Sequence, residues 1–318
     1  MSAKVLVPLD GSTASESILV QVRRLVRGTD AEVVLLHVVE ENPGEDGRAY
    51  LRATMRARER LRRLAVSLRE DGIRAEGEVR SGDPAGGILR FAAEIEPALV
   101  AMSTHGRTGL ARLIRGSVAE RVLRHSTHPL LLARPTGLES EPVLPGPFRR
   151  ILVPLDGSER SAQILPRVQE LARACGSEVV LQHASLDAPW ATGDAPPAPA
   201  DLSVDEALLR PWRERLERAG IRCRVRIDRR LPPQAILDAA AEEGADLIAL
   251  ATHGRSGASR WFFGSVAEGV LGASTTPTFV LRTASPAGLE VEGEAFEASG
   301  PSRLGSGVPG GPSGGAGK

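Results

Sequence analysis

Three short segments carry residue types suited to holding a phosphorylated ligand, and each occurs twice. Asp10-Gly11-Ser12 recurs as Asp156-Gly157-Ser158, Thr104-His105-Gly106-Arg107 as Thr252-His253-Gly254-Arg255, and Gly116-Ser117 as Gly264-Ser265. A carboxylate such as Asp10 or Asp156 can accept hydrogen bonds from ribose hydroxyls. Gly106 and Gly254 let backbone approach a phosphate with no Cβ in the way. Ser117 and Ser265, opening a helix, offer a hydroxyl beside exposed N–H groups at the positive end of the helix dipole. Arg107 and Arg112, matched by Arg255 and Arg260, add positive charge in the intervening loop. Taken singly, each segment is as easily a helix cap, a loop histidine tied to backbone, or a plain helix start. Taken together, twice, and converging on one crevice, they favour a ligand site.

The elements that must position these residues follow from the repeat. Lys4-Val-Leu-Val-Pro-Leu-Asp-Gly-Ser12 returns as Arg150-Ile-Leu-Val-Pro-Leu-Asp-Gly-Ser158, 146 residues later, and His37 and His183 keep that offset. From Gly72-Ile-Arg onward the offset is 148, so the second copy gains a net two residues between positions 38 and 72 of the first. The pattern is a tandem duplication of a domain of about 140 residues, long enough to fold alone. Short Val/Leu/Ile-rich runs at Val5–Leu9, Glu32–Val39, Arg74–Arg80, Ala98–Ser103 and Leu130–Arg134 read as strands covered on both faces. Helical stretches lie near 13–27, 48–71, 84–95 and 116–125, with Gly72 as a stop and Asp83-Pro84 as an N-cap followed by Pro. The order βαβαβαβαβ predicts an α/β fold: two tandem doubly wound, five-stranded, mostly parallel sheets. In such a sheet ligands bind beyond the carboxyl ends of the strands, at the topological switch. Asp10 and Asp156 end strand one there, the Thr-His-Gly segments end strand four, and the Gly-Ser pairs open the last helix.

Composition excludes several classes of function. The chain has 318 residues, 40 Lys+Arg against 40 Asp+Glu, and 42% hydrophobic residues. Balanced charge argues against bulk electrostatic binding to nucleic acid or to an anionic membrane. Lys occurs only at Lys4 and Lys318, which removes any mechanism needing an internal lysine, including a phosphate-loop lysine or a Schiff base. The apolar run Val5–Leu9 is too short for a secretory signal, and no stretch approaches the ~18 apolar residues of a membrane span. Cys175 and Cys223 stand alone and read as buried thiols in a reducing compartment. A cytoplasmic protein is expected. Its domains are 1–134 and 149–284, joined by a Pro-rich linker at 135–148. A Gly/Pro-rich tail at 285–318 is too poor in apolar residues to order itself.

At this level of detail the chain resembles a tandem universal stress protein, over about 1–134 and 149–284. Nucleotide-binding members carry Gly-x2-Gly-x9-Gly-Ser/Thr. The first copy here reads Ser103-x2-Gly106-x9-Gly116-Ser117 and the second Ala251-x2-Gly254-x9-Gly264-Ser265. The resemblance implies a Rossmann-like sheet of the adenine-nucleotide hydrolase type, binding ATP with Mg²⁺ carried by the phosphates. It implies that the backbone of Pro8 and Val38, or of Pro154 and Ala184, holds adenine, that Asp10 or Asp156 binds ribose, and that Met102 or Leu250 lines the pocket. Gly106, Gly116, Ser117 and Val118, or Gly254, Gly264, Ser265 and Val266, would cradle the phosphates. The departures are Ser103 and Ala251 at the first motif glycine, and Arg115 before Gly116 where Phe263 stands in the second copy. The resemblance also implies that the last strands, Pro129–Arg134 and Pro277–Arg282, pair edge to edge. Within one chain that makes an intramolecular pseudo-dimer, with a homodimer left open.

The expected action is nucleotide-dependent regulation in a stress response, by binding rather than turnover. There is no Gly-x4-Gly-Lys-Ser/Thr, no GxGxxG after strand one and no carboxylate obviously placed to activate water, so at most slow ATP hydrolysis is expected, with His105 or His253 as helper. Two rivals are a nucleotide-independent dimerising scaffold and an ATP-activating enzyme. The second typically has Ser-Gly-Gly-x-Asp-Ser after strand one, where this chain has Leu-Asp-Gly-Ser.

Overall fold

In a computed structural model of the chain, the described residues are 3–40, 47–104, 117–135, 146–185, 202–253 and 264–283. The first half runs β1 (Lys4–Pro8), α1 (Thr13–Glu16), α2 (Ile18–Val26), β2 (Glu32–Val39), α3 (Gly47–Glu70), β3 (Arg74–Ser81), α4 (Pro84–Ile95), β4 (Leu99–Ser103), α5 (Ser117–His125) and β5 (Leu130–Ala133). The second runs β6 (Arg150–Pro154), α6 (Glu159–Ala162), α7 (Leu165–Cys175), β7 (Glu178–Ala184), α8 (Leu202–Arg218), β8 (Cys223–Asp228), α9 (Pro232–Glu242), β9 (Leu247–His253), α10 (Ser265–Ala273) and β10 (Thr278–Thr283). The linker residues 136–145, the 186–201 loop and the 285–318 tail lie outside the described residues.

Strand alternation sorts the side chains into two layers. Val5, Val7, Val33 and Leu35 pack with Ile18, Val22, Leu61 and Leu68 of α2 and α3 on one face. Leu6, Val34 and Leu36 pack with Ile88, Phe91, Val122 and Leu123 of α4 and α5 on the other. This period-2 split is why the strands are apolar throughout. Asp83 caps α4 by accepting a 2.7 Å bond from the Gly86 N–H, and Pro84 sits at N1.

One helix differs from the sequence pattern. The stretch 13–27 forms two helices that meet at Ser17. The Ser17 hydroxyl donates to the Ala14 carbonyl at 2.7 Å, competing with the helical ladder. In the second half the same break falls at Gln163, just before Pro166, whose missing N–H cannot continue the ladder.

The two five-stranded sheets expected from sequence are present and, as the resemblance implied, join edge to edge through their last strands, giving the order β3-β2-β1-β4-β5-β10-β9-β6-β7-β8. Every pair within a half is parallel. The two halves join where β5 and β10 pair antiparallel, with Leu130, Leu131 and Leu132 opposite Val280, Phe279 and Thr278. Each half alone would leave a strand edge with unpaired N–H and C=O groups, and this pairing covers both. Two arginines reinforce it symmetrically. Arg134, just after β5, donates to the Gly272 carbonyl in the last turn of α10, and Arg282 of β10 donates to the Arg124 carbonyl in the last turn of α5. Positions 134 and 282, like 124 and 272, match in the repeat, so the contact is isologous within one chain. Each guanidinium also sits at the negative end of a helix dipole.

One interface contact has no symmetric mate. Arg24 of α2 forms a salt bridge with Asp246, just before β9, and its guanidinium lies 4.3 Å from the centre of the Phe148 ring. Arg24 also donates to the Gly146 carbonyl, so it ties together α2, the residues entering β6 and the start of β9. No helix among the described residues is long and apolar enough to cross a membrane.

Candidate functional site

The strand order reverses between β1 and β4 in the first half and between β6 and β9 in the second. Beyond the carboxyl ends of β6 and β9 lies a cavity of about 910 Å³, within the usual size range for small-molecule sites. Pro154, Asp156, Ala184, Leu250, Ala251, Gly264, Ser265 and Val266, eight of the ten second-half residues expected from sequence, line it. The other two, Gly254 and Arg255, lie outside the described residues, as do Gly106, Arg107 and Gly116. The loop residues His105, Arg112, Arg115, Arg260 and Phe263 lie there too, and so does the side chain of His253.

Asp156 braces the residue that caps α6 and lines the cavity. Its Oδ1 accepts from the Ser158 N–H at 3.0 Å and from the Ser158 hydroxyl at 2.6 Å, while Ser158 Oγ caps α6 by accepting from the Ser161 N–H at 3.1 Å. Burial pushes against ionisation, but hydrogen bonds from Ser158 and Ser161 outweigh it and hold the carboxyl below its usual value. The group is therefore an acceptor at neutral pH, the state that ribose hydroxyls need.

On the facing wall α10 begins. Gly264 stands at its N-cap with φ 77° and ψ 143°, and no side chain caps the helix. Those angles are open to glycine and strained for any β-branched residue. The first-turn N–H groups thus face the cavity with the dipole behind them.

Among the lining residues not anticipated as ligand contacts are Arg160, Gln182, Ile236 and Thr283. Arg160, on α6, has no ion-pair partner among the described residues, although it lies on the cavity wall. The signal for Arg160 and Gln182 was in the mismatches between the copies. Arg160 stands where the first copy has Ala14, and Gln182 where it has Leu36.

In the first half, Pro8, Asp10, Val38, Met102, Ser103, Ser117 and Val118 occupy the matching ends of β1, β2 and β4 and the start of α5. Asp10 repeats this arrangement: its Oδ1 accepts from the Ser12 N–H at 2.8 Å and the Ser12 hydroxyl at 2.5 Å, and Ser12 caps α1. Ser103 differs from its counterpart Ala251. Its hydroxyl turns to the α1–α2 corner, 3.2 Å from Ser17 Oγ, and donates to the Ser15 carbonyl at 3.4 Å. The hydroxyl at the first motif position therefore holds local structure.

His37 and His183 mark the same place on the opposite face. His183 Nδ1 donates to the Leu155 carbonyl at 2.8 Å, and its Nε2 is 4.0 Å from Asp205. For His37, burial pushes the pKa below the usual 6.5, and the Leu9 carbonyl and Asp10 only partly offset it. The unfolded chain then binds a proton that the folded chain resists. Stability contributed this way is intact above about pH 6.5 and is lost as pH falls through that value towards the lower folded pKa. The depressed carboxylates Asp228 and Glu178 act in a separate, more acidic window. Thermal melts should therefore show wild type losing more midpoint between pH 7.5 and 5.5 than His37→Gln. Parallel curves for the two proteins would contradict this account.

Both cysteines are free and partly buried. Burial raises the Cys175 thiol and pushes Cys223 up to about 12, which leaves both as unreactive thiols. Among the described residues no cluster of His, Cys, Asp and Glu could hold a metal.

Comparison with known proteins is consistent along the chain. The universal stress protein family model matches residues 1–134 and again 147–282. A universal stress protein of Mycolicibacterium smegmatis is 24% identical over 298 residues, covering 87% of this chain and 96% of that protein. One from Methanocaldococcus jannaschii is 30% identical over 138 residues, 41% of this chain and 81% of that protein. Among solved structures, a universal stress protein from Archaeoglobus fulgidus superposes with a TM-score of 0.71 at 25% identity, covering 89% of this chain and 99% of that one.

Proposed function

Starting from the universal stress protein family, to which this chain belongs, we propose that it binds an adenine nucleotide in the second-half cleft and acts by nucleotide-dependent regulation. The observation that carries this reading is the make-up of one cavity. Asp156 faces the uncapped start of α10, and Arg160 lies on the same wall. A carboxylate acceptor suits ribose, while a helix N-terminus and an arginine suit phosphates. The backbone of Pro154 and Ala184 would hold the base, and Leu250 would pack beneath it. ATP fits that donor set, with Mg²⁺ arriving on the phosphates and neutralising part of their charge. The reading places the work in the cytoplasm, in a stress response, and in binding rather than turnover.

The first half offers less to a ligand, because Ala14 stands in the place of Arg160. One tight site per chain is expected. The test is to strip the purified protein by denaturation and refolding, assay the supernatant for nucleotide, and titrate the chain with ATP and Mg²⁺. Arg160→Ala should weaken ATP about tenfold, the loss of roughly one charge-assisted hydrogen bond, and leave adenosine affinity unchanged. An equal loss for adenosine would show that Arg160 does not meet phosphate. No saturable binding at millimolar ATP would sink the nucleotide reading and favour a scaffold held by β5 and β10.

A further inference from the structure

We propose that Gln182 reads the base in the second-half site: its side-chain carbonyl accepts a hydrogen bond from the exocyclic amino group, so the site takes 6-amino purines and rejects 6-oxo purines. This rests on the nucleotide reading above and names a side chain that selects the base.

Gln182 is only 1% exposed yet lines the cavity. Its Nε2 donates to Asp228 Oδ2 at 3.1 Å. Asp228 is 6% exposed and held by Arg226, through bonds of 3.0 and 2.9 Å, and by Arg230 at 3.0 Å. Burial opposes its ionisation, but these donors keep the carboxyl below its usual value. An ionised carboxylate only accepts. The amide NH₂ must therefore face Asp228 and the carbonyl must point away, which removes the usual ambiguity between the two amide atoms. Among the described residues no donor reaches that carbonyl oxygen. The oxygen keeps a trace of solvent contact on the cavity wall, where a ligand or water can supply the donor it lacks.

The position suits a base. Gln182 and Ala184 are two apart on β7 and share a face of the sheet. Pro154 is paired with Gln182 across the β6–β7 ladder. Gln182 thus sits beside the backbone proposed to hold the purine. Its support is rigid, because Arg226 also bonds Glu242 and Glu243, and Arg230 also bonds Asp238. None of this exists in the first half, where Leu36, Glu78 and Arg80 occupy the positions of Gln182, Arg226 and Asp228. Leu36 is fully buried in the core and has no polar atom to offer a base.

The experiment measures ATP, ITP and N6,N6-dimethyl-ATP binding to the full chain by calorimetry, at the site that Gly264→Val removes. ITP presents an acceptor where ATP presents a donor, and the dimethyl analogue presents neither proton. Wild type should bind ATP about 30-fold tighter than either analogue, in line with sites whose polar groups are left unpaired by the wrong ligand. Gln182→Leu, which installs the residue of the first copy, should bring the ATP/ITP ratio within about threefold by lowering ATP affinity alone. Equal losses of ATP and ITP in that variant would mean Gln182 is structural and overturn the proposal. So would wild-type affinity for dimethyl-ATP equal to that for ATP, a result that needs no variant to fold. Absence of all nucleotide binding would remove the nucleotide reading itself, an outcome distinct from binding without base discrimination.

Discussion

Gly264→Val should weaken ATP binding by about 100-fold or more, the largest effect expected of any single change in the cleft. Gly264 holds φ 77° and ψ 143° at the first position before α10 and lies on the cavity wall. Valine at those angles costs roughly 1–3 kcal/mol of strain. The chain can relieve the strain only by turning the peptide, which carries the first N–H groups of α10 and the Ser265 hydroxyl away from the phosphates. If it does not turn, the new side chain occupies the space the phosphates need. Losing two charge-assisted hydrogen bonds at about 1.5–3 kcal/mol each gives 3 kcal/mol or more, and 1.4 kcal/mol is a factor of ten. Gly264→Ala, smaller but still strained, should fall between. The check is calorimetric titration of both variants with ATP and with adenosine, alongside thermal melts to separate binding from folding. Wild-type ATP affinity in Gly264→Val would falsify the phosphate-cradle assignment.

Arg24→Ala should destabilise the fold by about 3 kcal/mol, the magnitude seen when one member of a buried ion pair is removed. The pair is out of solvent, with side-chain exposures of 7% for Arg24 and 10% for Asp246, so screening does not excuse it from that class. Alanine also abandons the Phe148 ring and the Gly146 carbonyl. Asp246 would keep the N–H groups of Arg149 and Arg150, at 3.0–3.1 Å, which prevents the full cost of an isolated buried charge. For a unit of this size the midpoint of thermal unfolding should drop by roughly 6–12 °C. The double variant Arg24→Met with Asp246→Leu removes the stranded charge and should recover only part of that loss, since the Arg149 and Arg150 N–H groups lose their acceptor. A drop under about 2 °C for Arg24→Ala would place the pair with weak surface bridges instead.

Much of the architecture was legible because its determinants are local. The apolar runs of β1, β2 and β4, the Asp83-Pro84 cap and the alternation of strand with helix are properties of a few consecutive residues. Reading the repeat doubled each observation, so that Asp10 and Asp156 supported one another. The break at Ser17 was not legible. It depends on a serine hydroxyl choosing the Ala14 carbonyl over solvent, and helical periodicity continues unbroken across it. Arg160 and Gln182 escaped for the opposite reason. Agreement between copies directed attention to what they share, while the residues that set the second cleft apart are where they differ.

By itself the sequence determined the parallel α/β halves, the crevice at the carboxyl ends of the strands, and the Asp, Gly and Ser residues that meet there. Those follow from hydrophobic period, turn chemistry and strand order, all of which act over short spans. The resemblance already implied that β5 and β10 pair; only the tertiary structure set their register and placed Arg134 and Arg282 as caps across the seam. Only it could show that the Ser103 hydroxyl serves a helix corner, or that Asp228 takes up the amide nitrogen of Gln182. Those outcomes depend on which groups, distant in the chain, remain unsatisfied once the backbone is placed. Spacing along a sequence carries no record of that competition for partners.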